Sequence, residues 1–187
     1  MNQTETIDYK HGKTYAITVT ALMTAVTCIL APLSIPIGPV PISLTNLAIY
    51  ISLYLLGWKR GTISYLIYLL IGLVGIPVFS GFTGGPAKLA GPTGGYIIGF
   101  LFSALVMWAM EKLPGKKSIM QIVSMVVGLV VCYAFGTAWF MVVYGKANGP
   151  VGLVTALGWC VFPFIIPDLI KIALAYVLSR KLRKYVA

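Results

Sequence analysis

Apolar residues occupy the chain in six long blocks, separated by short polar, basic or glycine- and proline-rich breaks. The blocks run over Tyr15–Leu33, Ser43–Leu56, Thr62–Val78, Gly94–Leu113, Ile119–Tyr144 and Val151–Ser179. An α-helix needs roughly 20 apolar residues to cross the hydrocarbon core of a bilayer. The second block has about fourteen, and its lead-in, SIPIGPVPI (Ser34–Ile42), carries three prolines that forbid a regular helix. The pattern predicts an all-α integral membrane protein. Its single membrane domain would be a six-transmembrane-helix bundle over 15–181, flanked by a polar tail at 1–14 and a basic tail at 182–187. The first block is longer than a signal-peptide core. VTC at Val26–Cys28 lacks the small residue that a lipoprotein site wants just before its cysteine. The block is therefore read as the first membrane helix.

Composition sharpens this. Of 187 residues, 59% are hydrophobic and only 10% are charged, against about a quarter charged in a soluble domain. The net charge is +10, and its placement matters more than its size. Six spans put both termini on one side of the membrane. Eleven of the fourteen Lys and Arg residues then fall on that side, Lys88 and Lys146 on the other, and Lys171 inside a span. Basic residues mark the cytoplasmic side, so both termini are expected in the cytoplasm. The basic residues lie between apolar blocks rather than on one stripe, which argues against nucleic acid as a partner.

By this topology SIPIGPVPI and a second irregular stretch, FSGFTGGPAKLAGPTGGY (Phe79–Tyr96), face outward. The second holds six glycines and two prolines in eighteen residues. Irregular backbone at membrane depth is tolerated only where protein or a cavity satisfies its polar groups. The two stretches are a lid folded over the bundle or ordinary surface connectors, and the length of the second favours the lid.

Catalytic chemistry is sparse. Cys28, Cys132 and Cys160 sit inside apolar blocks without metal-ligand spacing. His11 has no partner for a dyad. GFTGGPAKL has no glycine directly before Lys88 and no Ser or Thr after it, so it is no phosphate-binding P-loop. There are no paired carboxylates and no Ser-His pair. Neither an enzyme, a metal nor a cofactor is expected.

One acidic residue lies inside a span: Asp168, with Lys171 three positions on and on the same helix face. Counting back from Arg180 puts Asp168 ~18 Å and Lys171 ~13 Å along a helix, near the middle of a ~30 Å core. A charge there costs roughly 2.5–3.5 kcal/mol on insertion scales. Such a pair is either a structural ion pair or a functional site. Pro167 suits the first position of a helix, which predicts a break in the sixth block with Asp168 in the first turn after it, where spare N–H groups favour an anion. Broken helices at the midplane mark many transporter sites. On the first helix Ala21 and Ala25 lie one turn apart, a spacing that lets a partner helix approach closely.

GPVPISLTNLA (38–48), GIPVFSGFTGGPAKLAGPTGGYIIGF (75–100) and PFIIPDLIKIAL (163–174), in this order, resemble the BioY family. These are the biotin-specific substrate-binding subunits, or S components, of energy-coupling-factor (ECF) transporters. The resemblance implies a bacterial cell membrane, six membrane helices and biotin held near the outer face under loops 1–2 and 3–4. It further implies a transmembrane coupling subunit and two cytoplasmic ATPases as partners, with Ala21 and Ala25 as the docking face for the coupling subunit. Of the family's binding positions, Asp168, Lys171 and Tyr96 match. Thr45 stands where Gln is common and is followed by Asn46. Thr83 stands where Asn occurs, and Ile97 where some members carry Arg. Gly84, Gly85, Lys88 and Gly94 complete the expected biotin site. Lys88 is the one basic residue of the second outer loop, and is either a counter-charge for the biotin carboxylate or a solvated lysine. An S component for another small vitamin and a solitary biotin importer are the alternatives. A channel or an intramembrane enzyme fits less well.

Overall fold

Helices form where the apolar blocks predict them, but their ends are set by glycine and proline. The computed structural model describes residues 12–111 and 117–186, and side chains within 12–110 and 119–184. The first eleven residues of the polar tail, with His11, lie outside the described residues, as do Lys112 and Lys116 of the basic connector. Eight helices and one small hairpin follow in order: α1 Gly12–Leu30, β1 Ser34–Ile35, β2 Ile42–Ser43, α2 Thr45–Leu56, α3 Trp58–Leu73, α4 Pro86–Ala90, α5 Gly94–Glu111, α6 Lys117–Asn148, α7 Leu153–Cys160 and α8 Phe162–Val186.

Five apolar blocks each become one helix. The sixth becomes two, α7 and α8, and the short α4 is an addition from the glycine-rich loop. The break falls at Val161 (φ −126°, ψ −58°), not at Pro167. Pro167 lies inside α8 and Asp168 is its seventh residue, so the expectation that Asp168 occupies the first turn after the break is overturned. Pro163, not Pro167, takes up the first turn, where its missing N–H costs nothing. With the helix already started, Pro167 forfeits a single backbone bond, a loss that buried membrane helices tolerate. α3 also begins earlier than Thr62. Gly57 (φ +77°) alone turns the chain between α2 and α3, so Lys59 and Arg60 join the helix. Gly75 (φ +110°) and Pro77 end it before Val78.

α2 is the central helix. Ten of its twelve residues are buried, which explains why this short block is apolar on all sides. It packs on α1, α3 and α8, while α5 packs on α6. Buried hydroxyls tie the helices together: Thr24 to Ser64 at 3.0 Å, Ser103 to the Gly128 carbonyl at 2.6 Å, and Tyr65 to the Ile97 carbonyl at 2.6 Å. Small polar groups are the expected adhesive where no hydrophobic drive separates helix from lipid. Three helical stretches, Gly12–Leu30, Ile119–Asn148 and Leu153–Lys184, are long and apolar enough to cross a membrane. Thr45–Leu56 and Gly94–Met110 are shorter apolar helices.

Both irregular stretches are anchored in the bundle. The lead-in to α2 is an antiparallel hairpin pairing Ser34 with Ser43 and Ile35 with Ile42. Near its turn, Val40 is buried among Phe140, Ala156, Cys160 and Phe164. In the loop after α3, Phe79 is fully buried, edge-on to Tyr68 at 5.6 Å. The Gly81 N–H donates to Pro32 O at 3.0 Å, tying this loop to the segment between α1 and the hairpin. Trp139 on α6 donates to Gly91 O at 3.0 Å. Hydrogen bonds and buried side chains thus hold both stretches to the bundle.

Candidate functional site

The site is built around Asp168 and Lys171, both buried to within 6% of full enclosure. Lys171 Nζ lies 2.9 Å from Asp168 Oδ1, so the i, i+3 spacing delivers the predicted pair. Each charge has further partners. Asn46 Nδ2 donates to Asp168 Oδ1 at 2.8 Å. Tyr133 donates its hydroxyl proton to Asp168 Oδ2 at 2.6 Å. Lys171 Nζ also donates to the backbone carbonyl of Ser43 at 2.7 Å. Four elements meet here: α8 brings the pair, the second residue of α2 brings Asn46, β2 brings the Ser43 carbonyl and the middle of α6 brings Tyr133. Charge-assisted bonds of this kind are short and roughly twice as strong as neutral ones. They are also what a buried ion pair requires to persist.

The other expected residues are distributed unevenly. Thr45 is buried beside Asn46, with its hydroxyl 2.9 Å from Ser43 Oγ. Tyr96 lies one turn of α6 away from the charged cluster: its hydroxyl pairs with Thr137 at 3.0 Å, four residues after Tyr133. The Tyr96 ring takes the space above Gly136, where a Cβ would fall 2.3 Å from it. Thr83 donates to Ser80 O at 3.0 Å within its own loop. The Gly85 N–H donates to Gly72 O at 2.7 Å. Gly84 and Gly94 serve the loop's own path, since a Cβ at Gly94 would sit 1.7 Å from the Leu89 carbonyl oxygen and one at Gly84 would sit 2.5 Å from that of Ile76. Lys88, on α4, is half-buried, and burial pulls its ammonium below the ordinary lysine range. Ile97 is packed in the core. Ala21 and Ala25 are exposed on α1, apart from this cluster.

Tyr133 had no signature in the sequence. It is one of several tyrosines inside apolar blocks, and the only available hint is general: a tyrosine hydroxyl buried in a helix bundle seeks a partner. In the structure its ring also forms part of the wall of a 550 Å³ cleft between α6 and α7–α8. Val130, Ala134, Leu157, Ile165 and Leu169 line the same cleft. Among the described residues no three His, Cys, Asp or Glu side chains come together as a metal site.

Chemically, the cluster presents an acceptor, the Asp168 carboxylate, next to a donor, the Lys171 ammonium, in a water-poor place under the hairpin. A mostly apolar helical bundle with such a polar centre defines a membrane-embedded protein of the solute-binding class. The chain belongs to the BioY family, whose sequence model matches residues 2–187. It is 36% identical to the probable biotin transporter BioY of Pyrococcus horikoshii over 91% of this chain and 98% of that one. It is likewise 36% identical to the biotin transporter BioY of Thermotoga maritima, over 87% and 92% of the two chains. Among solved structures it resembles the S-component for biotin from an ECF-type ABC transporter, with a TM-score of 0.81, 37% identity and 92% coverage of each chain.

Proposed function

We propose that this protein is the biotin-binding S component of an ECF-type importer. It crosses the bacterial cell membrane six times with both termini in the cytoplasm, receives biotin from outside under the hairpin and the α3–α5 loop, and works with a transmembrane coupling subunit and two cytoplasmic ATPases. The observation that carries this is the buried Asp168–Lys171 pair, completed by Asn46 and covered by loop segments. The names of its relatives support the ligand. The exposed Lys59, Arg180, Lys181 and Lys184 support the orientation, because they cluster by sequence at the helix ends assigned to the cytoplasm. Biotin carries a cyclic urea with two N–H donors and a carbonyl, an apolar ring and chain, and a carboxylate. The urea end goes deepest, donating an N–H to Asp168 and accepting a hydrogen bond from Lys171 at its carbonyl oxygen. Tyr96 and Thr45 flank it.

Purified protein is expected to melt at a higher temperature with biotin and unchanged with riboflavin or thiamine, because a ligand that binds only the folded state raises its stability by mass action. A shift with another vitamin and none with biotin sinks the assignment of the ligand. Transport by cells expressing this chain without a coupling module would instead favour a solitary importer.

The carboxylate end lies by the α3–α5 loop in this reading. With Ile97 committed to the core, Lys88 or another part of the loop backbone supplies the donors, since the Thr83 and Gly85 N–H groups already donate to Phe79 O and Gly72 O. Lys88→Ala should weaken biotin selectively over its neutral amide, by a small factor, since a partly exposed ion pair is worth about 0–1 kcal/mol. Equal affinities of the variant and the parent for both ligands would take Lys88 out of the site.

A further inference from the structure

We infer that Tyr133 is a specificity-determining positioning residue: its hydroxyl fixes Asp168 so that a single acceptor direction remains, open to a donor such as an N–H of the ligand and closed to an acceptor such as a carbonyl oxygen. The inference rests on the biotin-binding reading above and concerns a residue outside the motifs that carry the sequence resemblance.

An ionised carboxylate has about four lone-pair positions. Three are already used. Oδ1 takes both Asn46 Nδ2 at 2.8 Å and Lys171 Nζ at 2.9 Å. Oδ2 takes Tyr133 at 2.6 Å. Oδ1 is therefore full, and the open position is on Oδ2, beside the Tyr133 oxygen. That hydroxyl donates its O–H to Asp168 and keeps its own lone pairs as acceptors. A ligand edge arriving there meets two oxygens with no proton to give. It must bring a donor hydrogen, such as an N–H, and that hydrogen can be shared between them. An edge that brings only an acceptor, such as a carbonyl oxygen, leaves acceptors facing acceptors in a desolvated place, a mismatch that hydrogen-bonding sites punish far more than a missing methylene.

Tyr133 also differs from the other two donors in origin. Asn46 and Lys171 belong to α2 and α8, which pack on each other. Tyr133 comes from α6, and its ring stands in the wall of the apolar cleft. Without the hydroxyl the carboxylate is held on one oxygen only and is free to rotate about the bond that carries it. The ring, by contrast, is packing. Removing the hydroxyl alone separates the two roles.

The test is a thermodynamic cycle on the purified full chain, read as biotin affinity by titration calorimetry. Tyr133→Phe is expected to weaken biotin at least about tenfold, the usual effect of losing one hydrogen bond to a charged group. In an Asp168→Asn background the same substitution is expected to change affinity less than about threefold, because the group through which it acts is gone. Equal losses in both backgrounds, or no loss in either, would overturn the inference and leave Tyr133 as packing. Melting temperatures without ligand come first. If Tyr133→Phe does not hold its fold, Tyr133→Met keeps the apolar bulk without the hydroxyl and is held to the same outcomes. Failure of the parent protein to bind biotin at all is a different result, and overturns the ligand assignment together with this inference.

Discussion

Asp168→Asn is expected to weaken biotin binding more than any single substitution in the two outer loops, by about 1.5–3 kcal/mol, or roughly tenfold to over a hundredfold. Asp168 accepts from Asn46, Lys171 and Tyr133 at once. An amide in its place has one acceptor oxygen, and its NH2 is turned toward donors. Lys171 then keeps neutral acceptors, among them the Ser43 carbonyl, but no counter-charge for its buried ammonium. Breaking one half of a buried pair typically costs about 3–5 kcal/mol of stability, so the unliganded variant should also melt lower. Calorimetric titration on the folded variant decides the binding claim, and an affinity equal to that of the parent would end it.

Leu in place of Ala21 or Ala25 should abolish biotin uptake by cells while leaving biotin binding by the isolated subunit intact. Both alanines are exposed on α1, whereas Thr20, Thr24 and Thr27 on the neighbouring face are buried. Small residues one turn apart allow close approach of a partner helix, and a leucine side chain prevents it. Neither position touches the Asp168 cluster, so the pocket has no reason to change. Co-purification with the coupling subunit checks the mechanism: a complex that forms normally with the leucine variants would make this face an ordinary lipid contact.

Much of this was legible in the chain because it depends on local spacing. The apolar blocks gave the helices, since in lipid every backbone group must be satisfied within its own segment. Asp168 and Lys171 were legible as a pair because three residues of helix fix their separation. What was not legible depends on long-range contact. Asn46 is separated from Asp168 by 122 positions and Tyr133 by 35, and no periodicity reports such distances. The sequence marks the break only by two prolines, and of these Pro163 stands in the first turn of α8 while Pro167 lies inside the helix. The β1–β2 hairpin leaves no mark in the pattern, because two-residue strands are too short for alternation to show. The glycines of the outer loop were legible as unusual, but Gly84 and Gly94 turn out to fit the loop against itself.

One bond has a consequence for how long a solute stays. Lys171 reaches past Asp168 to the Ser43 carbonyl at 2.7 Å, so the cover is bolted to the buried pair from within. Swinging the hairpin away strips an ammonium of a partner in a low-dielectric setting and draws Val40 out from among Phe140, Ala156, Cys160 and Phe164. In the proposed reading, a biotin held beneath the hairpin waits for both before it departs, so its affinity would reside in slow dissociation more than in fast capture, as it does for most related complexes. Rapid delivery would then depend on the proposed coupling subunit to loosen this bond.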